Sequence, residues 1–282
     1  MPSHRSSKVL VIGDSPELQE VFATPQEGVD LQIERIDNIE AGVALLGAGS
    51  FDVVLAELNG PDLDDVRGLE AIRKACRSAR VILLVKDSTS QKVIEAMRQH
   101  AFSYFGQPFD VNTVREMVLQ AALMSEWADA IQLTSATPNF LTFRLRSTVP
   151  TAERVVQFLR EMPVELPERD REELTIAMRE LLFNAIEHGG KLDGDQWVRV
   201  SRIRTARAIV YHIEDPGEGF RHLSLPHAAV SNPDDPTQAA KVRAEAGLRP
   251  GGFGMLLASK LVDEILYNQS GNEVILIKRF EN

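Results

Sequence analysis

The sequence predicts two domains: an α/β domain built on a parallel sheet, then an α+β domain with helices on one face of a mixed sheet. Three observations support this division. The chain has 282 residues, which is more than one typical domain needs. Its first 125 residues alternate short apolar runs with helical patterns, as parallel sheets do. From residue 140 onward, short strand patterns stand in pairs among longer helical segments.

The first domain, residues 8–125, takes its strands from near-continuous apolar runs. The predicted strands are 8–14, 29–34, 51–57, 81–85 and 103–105, and the predicted helices are 16–23, 38–48, 64–77 and 88–100. Strands buried on both faces have this apolar character, so the pattern predicts a parallel sheet with its functional groups at the carboxyl ends of the strands. Residues 1–7 are expected to form a disordered tail.

Residues 110–135 contain neither glycine nor proline and predict one long helix. Asp110 suits its N-cap, and apolar residues recur at helical spacing as far as Ile131. We therefore expect residues 126–139 to be a helical connector. Trp127 would be either a core residue or a contact in a homodimer formed through this helix.

The second domain, residues 140–282, shows a second order of elements. The predicted strands are 140–145, 196–203, 207–214, 264–268 and 273–280, and the predicted helices are 152–162, 169–188 and 254–263. Between Phe220 and Pro250 there is no clear pattern, which is typical of a lid or of disorder. Lys241, Arg243 and Arg249 lie there, and we expect at most one of them to reach a phosphate.

Three motifs in this domain are candidates for chemistry. Glu180 and Asn184 lie four residues apart, on one face of a helix, where a carboxylate and a carboxamide could polarise a hydroxyl and hold Mg²⁺. Glycines in the run 215–220 would let the backbone approach a flat ligand, and those in the run 251–255 lead into a helix whose free N–H groups suit phosphates. The alternative is an ordinary polar helix face and a surface turn.

In this order and spacing, the motifs resemble the ATPase superfamily of gyrase, Hsp90, histidine kinases and MutL (GHKL), most closely its anti-sigma-factor serine kinases. The N box of that branch reads Glu-x-x-x-Asn-Ala-x-x-His-Gly, as residues 180–189 do. The resemblance covers about residues 140–282. It implies that Glu180 is the general base, Asn184 the Mg²⁺ ligand, Asp215 the acceptor for the adenine amino group, Gly217 and Gly219 the glycines beneath the purine, and Gly252 and Gly254 the glycines near the phosphates.

The first domain resembles the receiver (flavodoxin-like) domain of two-component response regulators over about residues 6–125. The resemblance puts Glu57 at the phosphoacceptor position, Gly13 and Asp14 at the acidic pair, Val85 at the hydroxyl position and Gln107 at the lysine position. Phosphotransfer needs an aspartate, metal-binding acids, a lysine and a hydroxyl, so we expect a degenerate receiver that does not accept phosphate. Glu57 either imitates a phosphorylated aspartate or is a tolerated surface acid.

Composition excludes several function classes. Residues 1–135 hold 12 Lys+Arg and 20 Asp+Glu, net −8, and residues 136–282 hold 19 and 21, net −2. Neither half has the basic surplus of a module that binds nucleic acid. No apolar run approaches the about 20 residues that span a bilayer. The single cysteine, Cys76, excludes an internal disulfide, and a cytoplasmic protein is expected.

The sequence also narrows the kinase class. No histidine lies between His100 and His188, and a single connector helix leaves no room for the helical hairpin that carries the phosphoacceptor of a histidine kinase. The resemblance therefore implies a serine/threonine kinase that uses ATP and Mg²⁺ on a separate protein, an anti-sigma antagonist or a sigma factor. The alternative is a non-catalytic adaptor in which bound ATP only sets a shape that is competent for partner binding.

Overall fold

The structure is a computed structural model of the 282-residue chain and describes residues 6–23, 29–58, 64–124, 127–219 and 254–280. Its contacts divide the chain into two units. The first comprises Met1–Asp129 with Gln157–Pro163, and the second comprises Ala130–Val156 with Val164–Asn282. Each unit has a sheet of its own. Within the described residues, no helix is both long enough and apolar enough to cross a membrane.

The sheet of the first unit has five parallel strands in the order β2-β1-β3-β4-β5. The strands are β1 (Ser6–Ile12), β2 (Asp30–Ile36), β3 (Val53–Leu58), β4 (Arg80–Val85) and β5 (Ser103–Gly106). All residues of β4 are buried, and β1 and β3 are nearly so, as expected for strands that are covered on both faces. The predicted α/β fold is thereby confirmed.

Five helices alternate with these strands: α1 (Pro16–Val21), α2 (Ile39–Ala48), α3 (Asp64–Ala75), α4 (Ser90–Arg98) and α5 (Val111–Leu123). Four of them begin after a polar residue whose side chain accepts a backbone N–H of the first turn; these residues are Ser15, Asn38, Thr89 and Asp110. Such caps satisfy donors that a helix start leaves unpaired, so the helix boundaries follow from local sequence.

The start of the first strand differs from the prediction of a tail at residues 1–7. Strand β1 begins at Ser6, and Ser7 is 1% exposed. The Ser7 hydroxyl donates to the carbonyl of Ala122 at 3.2 Å, which satisfies a polar group that the strand buries. Residues 1–5 lie outside the described residues.

The predicted helical connector is also wrong. Helix α5 ends at Leu123, and Ile131–Thr137 is a strand, β6, that pairs antiparallel with the next strand. The Thr137 hydroxyl accepts the backbone N–H of Phe140 at 3.1 Å and stabilises the tight turn between them. Apolar spacing alone could not reveal this, since the pairing that decides it lies further along the chain. Ile131–Thr137 therefore does not form the connector helix through which we expected a homodimer contact.

Trp127 lies in the core of the first unit. It is 7% exposed, and its ring meets that of Phe102 edge-on at 5.9 Å. The Arg73 guanidinium lies over the indole ring, 4.8 Å from its centroid. The core alternative for Trp127 is the one that the structure supports.

The sheet of the second unit has six strands in the order β10-β11-β9-β8-β7-β6. The strands after β6 are β7 (Phe140–Arg146), β8 (Trp197–Arg204), β9 (Ala208–Glu214), β10 (Glu264–Tyr267) and β11 (Glu273–Arg279). Among these described strands, every neighbouring pair is antiparallel, whereas we expected a mixed sheet. Three of these pairs, β6–β7, β8–β9 and β10–β11, are hairpins, whose short connections make their strands antiparallel. The pairs β7–β8 and β9–β11 are antiparallel as well.

Helices cover one face of this sheet, as predicted. They are α6 (Val149–Arg160), α7 (Glu168–Asn184) and α8 (Gly254–Leu261), and α7 contacts β9, β11 and α8. Alternate residues of β7, β8 and β9 are buried, which fits a sheet with one covered face. The predicted lid at 220–250, with Lys241, Arg243 and Arg249, lies outside the described residues.

Candidate functional site

The N-box segment is a helix that ends in a wider turn. Helix α7 continues into a π turn at Ala185–Gly189, a local geometry that is often found at functional sites. The Ser147 hydroxyl donates to the carbonyl of Ile186 at 3.1 Å and holds this turn against the start of α6. Gly190 directly follows the last residue of the N box. A Cβ on Gly190 would overlap with the Ser147 hydroxyl, so the contact requires glycine at this position.

Glu180 lies at the junction of α7 and α8. Its side chain is 32% exposed, and a Cβ on Gly254 would overlap with its Oε2 atom, so α8 begins directly against this carboxylate. Free N–H groups at a helix start favour negative charge nearby. The predicted base and one of the predicted phosphate-site glycines are therefore neighbours.

An arginine next to Glu180 was not anticipated. The Arg179 Nη1 atom lies 4.0 Å from Glu180 Oε1, and Arg179 Nη2 lies 2.6 Å from Glu153 Oε1 on α6. The guanidinium also lies over the Phe183 ring at 4.2 Å. No motif marks this arginine in the sequence, since its partner Glu153 comes from a different helix.

Asp215 follows the end of β9 and lies against the end of the N box. A Cβ on Gly189 would overlap with the Asp215 carboxyl group, and a Cβ on Gly217 would lie 2.9 Å from the Gly189 Cα. The Gly217 N–H donates to Asp215 Oδ1 at 2.8 Å. Burial raises the pKa of Asp215, and the Gly217 N–H partly offsets that rise. A partly buried carboxylate at a glycine-lined surface can accept an N–H from a flat ligand.

The β10–β11 turn contacts the segment that runs from Asp215 to Gly219. The Asp215 N–H donates to the carbonyl of Asn272 at 2.9 Å. Gly219 has φ +78°, and a Cβ there would overlap with the Ser270 carbonyl. Glycine is therefore required at 219 by both its backbone conformation and its neighbour.

The structure thus brings together two groups of predicted residues: Glu180 with Gly254, and Asp215 with Gly217 beside Gly189. Asn184 lies in the last turn of α7, between Glu180 and the π turn, and is partly buried. Gly252 lies outside the described residues. The described residues contain no group of three or more His, Cys, Asp or Glu that could hold a metal. Mg²⁺ held by one side chain and by phosphates does not need such a cage, so Asn184 fits that role.

The receiver-site positions form a second cluster, at the carboxyl ends of β1, β3 and β5. Gln107 Nε2 donates to Glu57 Oε1 at 3.3 Å. Gly13 has φ +128°, and a Cβ there would lie 2.8 Å from the Glu57 Cβ and 2.9 Å from its Oε2. The longer acid at 57 thus occupies space that a side chain at 13 would need. Glycine at 13 and glutamate at 57 both depart from the receiver pattern, and this contact makes the first necessary for the second.

The remaining receiver positions contribute little polar chemistry. Val85 is fully buried at the end of β4, and Asp14 is exposed. The Glu57 carboxylate is hydrogen-bonded to Gln107 and packs on Gly13. Both functions expected for Glu57, imitation of a phosphorylated aspartate and a tolerated surface acid, stay predictions. The sequence identified Glu57 and Gln107 by position, but the role of Gly13 in making room for Glu57 appears only in the structure.

Two family models match the chain. Residues 9–119 match the response regulator receiver domain, and residues 142–278 match the histidine kinase-like ATPase domain.

Curated relatives and solved structures are similar to part of the chain. The response regulator protein FleR of Pseudomonas aeruginosa is 27% identical over 118 residues, which are 42% of this chain and 25% of that protein. The regulatory protein AtoC of Escherichia coli is 24% identical over 117 residues, again 42% of this chain and 25% of that protein. The pilus assembly protein CpaE of Caulobacter crescentus has a TM-score of 0.36 at 16% identity and covers 43% of this chain and 95% of its own.

This chain spans about a quarter of the length of the two curated relatives. The two family matches and the two sheets agree in their positions along the sequence. The chain therefore joins a response regulator receiver domain, at residues 9–119, to a histidine kinase-like ATPase domain, at residues 142–278.

Proposed function

We propose that this chain is an ATP-dependent serine/threonine protein kinase of the anti-sigma-factor type, with Mg²⁺ as its cofactor. The histidine kinase-like ATPase domain implies ATP binding. The observation that carries the proposal is the Glu180 carboxylate lying directly against the start of α8. A pure nucleotide binder does not need a carboxylate at that point, whereas a phosphotransferase needs a base there.

The chain's own residues have distinct roles in this proposal. Asp215 accepts a hydrogen bond from the adenine amino group, and Gly217 and Gly219 let the purine approach the backbone. Asn184 contributes an oxygen ligand to Mg²⁺, and Gly252 and Gly254 border the phosphates. When bound, ATP and Mg²⁺ supply the phosphoryl group and the charge compensation that its transfer requires.

Glu180 acts on the second substrate. Its carboxylate takes the proton of a serine or threonine hydroxyl as that oxygen attacks the phosphoryl group. Because positioning and electrostatics provide most of phosphoryl-transfer catalysis, this short set of residues is sufficient.

The substrate in this proposal is a separate protein, an anti-sigma antagonist or a sigma factor. Its support is the absence of histidine between His100 and His188, so the segment that joins the first domain to the N box carries no histidine that could accept phosphate. Within the described part of residues 110–140, α5 is the only helix, so no helical hairpin precedes the ATPase domain there.

The test is a transfer assay with the purified full-length chain, γ-labelled ATP, Mg²⁺ and a panel of antagonist proteins and sigma factors. We expect acid-stable label on a serine or threonine of one panel member. Label on a histidine of the chain itself would contradict the proposal. Nucleotide-dependent binding of a panel member without any label would instead support the adaptor function.

A further inference from the structure

We propose that Asn268 is a positioning residue of the nucleotide site, which holds Asp215 and its glycine loop in place from the neighbouring hairpin. The inference deepens the proposed function and rests on it for the role of Asp215. Asn268 belongs to the β10–β11 turn and lies far from Asp215 in the sequence.

The Asn268 side chain organises the whole turn. Its Oδ1 accepts the backbone N–H groups of Gly271 at 2.7 Å, Asn272 at 3.1 Å and Glu273 at 3.2 Å. Its Nδ2 donates to Asn272 Oδ1 at 2.9 Å. One side chain thus accepts hydrogen bonds from three consecutive backbone donors, a local side-chain-to-backbone pattern that asparagine often forms in turns.

Backbone hydrogen bonds hold the same turn. The Asn268 N–H donates to the Glu273 carbonyl at 3.1 Å, and the Gly271 N–H is shared with the Asn268 carbonyl at 3.2 Å. Gly271 is buried and has φ +82°. A turn that needs a left-handed residue and three side-chain bonds has few other folded arrangements.

The organised turn contacts both ends of the Asp215–Gly219 segment. At the first end, the Asn272 carbonyl accepts the Asp215 N–H at 2.9 Å. At the other end, Gly219 packs so closely on the Ser270 carbonyl that a Cβ would overlap with it. Asn268 is hydrogen-bonded to Asn272 directly and encloses Ser270 within the turn, so it fixes both supports at once.

The consequence is a specific effect on nucleotide recognition. If the turn rearranges, Asp215 loses its backbone anchor and samples positions in which its carboxylate does not face the adenine amino group. Apparent affinity then falls in proportion to the competent fraction. Discrimination between adenine and guanine falls as well, because adenine carries an amino donor at C6 where guanine carries a carbonyl acceptor.

The experiment uses the full-length chain in four forms: wild type, Asn268→Ala, Asn268→Asp and Thr205→Ala. Asp at 268 retains the oxygen that accepts the three N–H groups. Thr205 is the matched control, since it organises the β8–β9 turn of the same sheet by accepting the N–H groups of Arg207 and Ala208. Calorimetric titrations with ATP and with GTP give the affinities and their ratio.

We expect Asn268→Ala to lower ATP affinity about 10-fold and to lower the ATP/GTP ratio, as for a competent fraction near one tenth. Asn268→Asp should stay within about 3-fold of wild type, and Thr205→Ala should change neither value. A merely structural loss would lower melting temperature in Asn268→Ala and Thr205→Ala alike without changing the ratio. Should Asn268→Ala fail to fold, Asn268→Ser carries the same measurements.

A second readout does not need a nucleotide. Hydrogen exchange of the Asp215 amide in the free protein should become faster in Asn268→Ala and stay unchanged in Thr205→Ala. Unchanged exchange together with unchanged affinity would overturn the inference. Faster exchange in a chain whose wild type does not bind ATP would retain the positioning role and reject the proposed function. ATP binding that is lost in Asp215→Asn but unchanged in Asn268→Ala would retain the proposed function and reject the positioning role of Asn268.

Discussion

Each of the three acids that matter most in this chain lies against a glycine. Glu180 borders Gly254, Asp215 borders Gly189, and Glu57 borders Gly13, where an added Cβ would in every case collide with the acid. Glycine at these positions is therefore a packing requirement of the carboxylates as much as a backbone requirement.

Asp215→Asn tests the adenine contact. The change replaces the proposed acceptor for the adenine amino group with an amide and should leave a mismatch of ~1–3 kcal/mol. Calorimetry should show ATP affinity falling about 5- to 150-fold. Asp195→Asn is the control, because the Asp195 side chain is 96% exposed. Wild-type affinity in a folded Asp215→Asn protein would refute the adenine contact.

The pH dependence of ATP binding should report Asp215. Burial raises the pKa of this carboxyl group above its ordinary value. In the proposed contact the ionised carboxylate is the stronger acceptor for the adenine amino group, so affinity should be highest well above the raised pKa and should decline as the pH falls through it. Titrations of wild type and Asp215→Asn over the same pH range separate this effect from protonation of ATP itself. Parallel pH profiles in the two proteins would contradict it.

At the scale of elements, periodicity predicted most helices and strands because their burial patterns are local. The apolar spacing predicts a helix as far as Ile131, but Ile131–Thr137 is a strand, because the pairing with β7 that makes it one is not visible in its own residues. The residues of the candidate site differ in the same respect, since some belong to local motifs and others depend on partners far away in the sequence. Glu180, Asn184 and Asp215 stand in recognisable motifs, whereas Asn268 acts through backbone hydrogen bonds and Arg179 through a partner on another helix.

The packing of Gly13 on Glu57 predicts a stability effect in the receiver domain. Gly13→Ala adds a Cβ 2.7 Å from Leu18 Cδ1 and 2.8 Å from Glu57 Cβ at a left-handed φ of +128°. We expect a loss of ~1–3 kcal/mol in unfolding free energy, measured by urea denaturation of the full chain. Gly47→Ala is the matched control, because nothing lies within 4 Å of its added Cβ. Equal stability of the two variants would contradict the packing argument.

The receiver domain should not react with small phosphodonors. Glu57 is hydrogen-bonded to Gln107, and Val85 provides no hydroxyl. Acetyl phosphate with Mg²⁺ should therefore add no mass in intact-protein mass spectrometry, while a receiver with the full reactive set run in parallel gains one phosphoryl group. A phosphorylated species mapped to Glu57 or Asp14 would contradict this expectation.

At the scale of the whole molecule, the chain joins a response regulator receiver domain to a histidine kinase-like ATPase domain. We expect the first to be unreactive toward phosphodonors and propose that the second is catalytic. The first 135 residues carry a net charge of −8 and the rest −2, and neither value suggests a nucleic acid partner. Because we expect this receiver domain not to accept phosphate, the input signal to test is the binding of a partner protein. The output we propose is phosphate transfer to a separate protein.

That central claim is tested most directly by Glu180→Gln, measured for ATP affinity by calorimetry and for phosphate transfer to a partner protein by mass spectrometry. The substitution retains size and helix but removes the proton acceptor, so we predict a transfer rate about 10²- to 10⁴-fold lower at nearly unchanged ATP affinity. Glu172→Gln, an exposed acid on the same helix, should match wild type. Transfer that persists at the wild-type rate in Glu180→Gln would contradict the assignment of the base, and with it the kinase mechanism proposed for this chain.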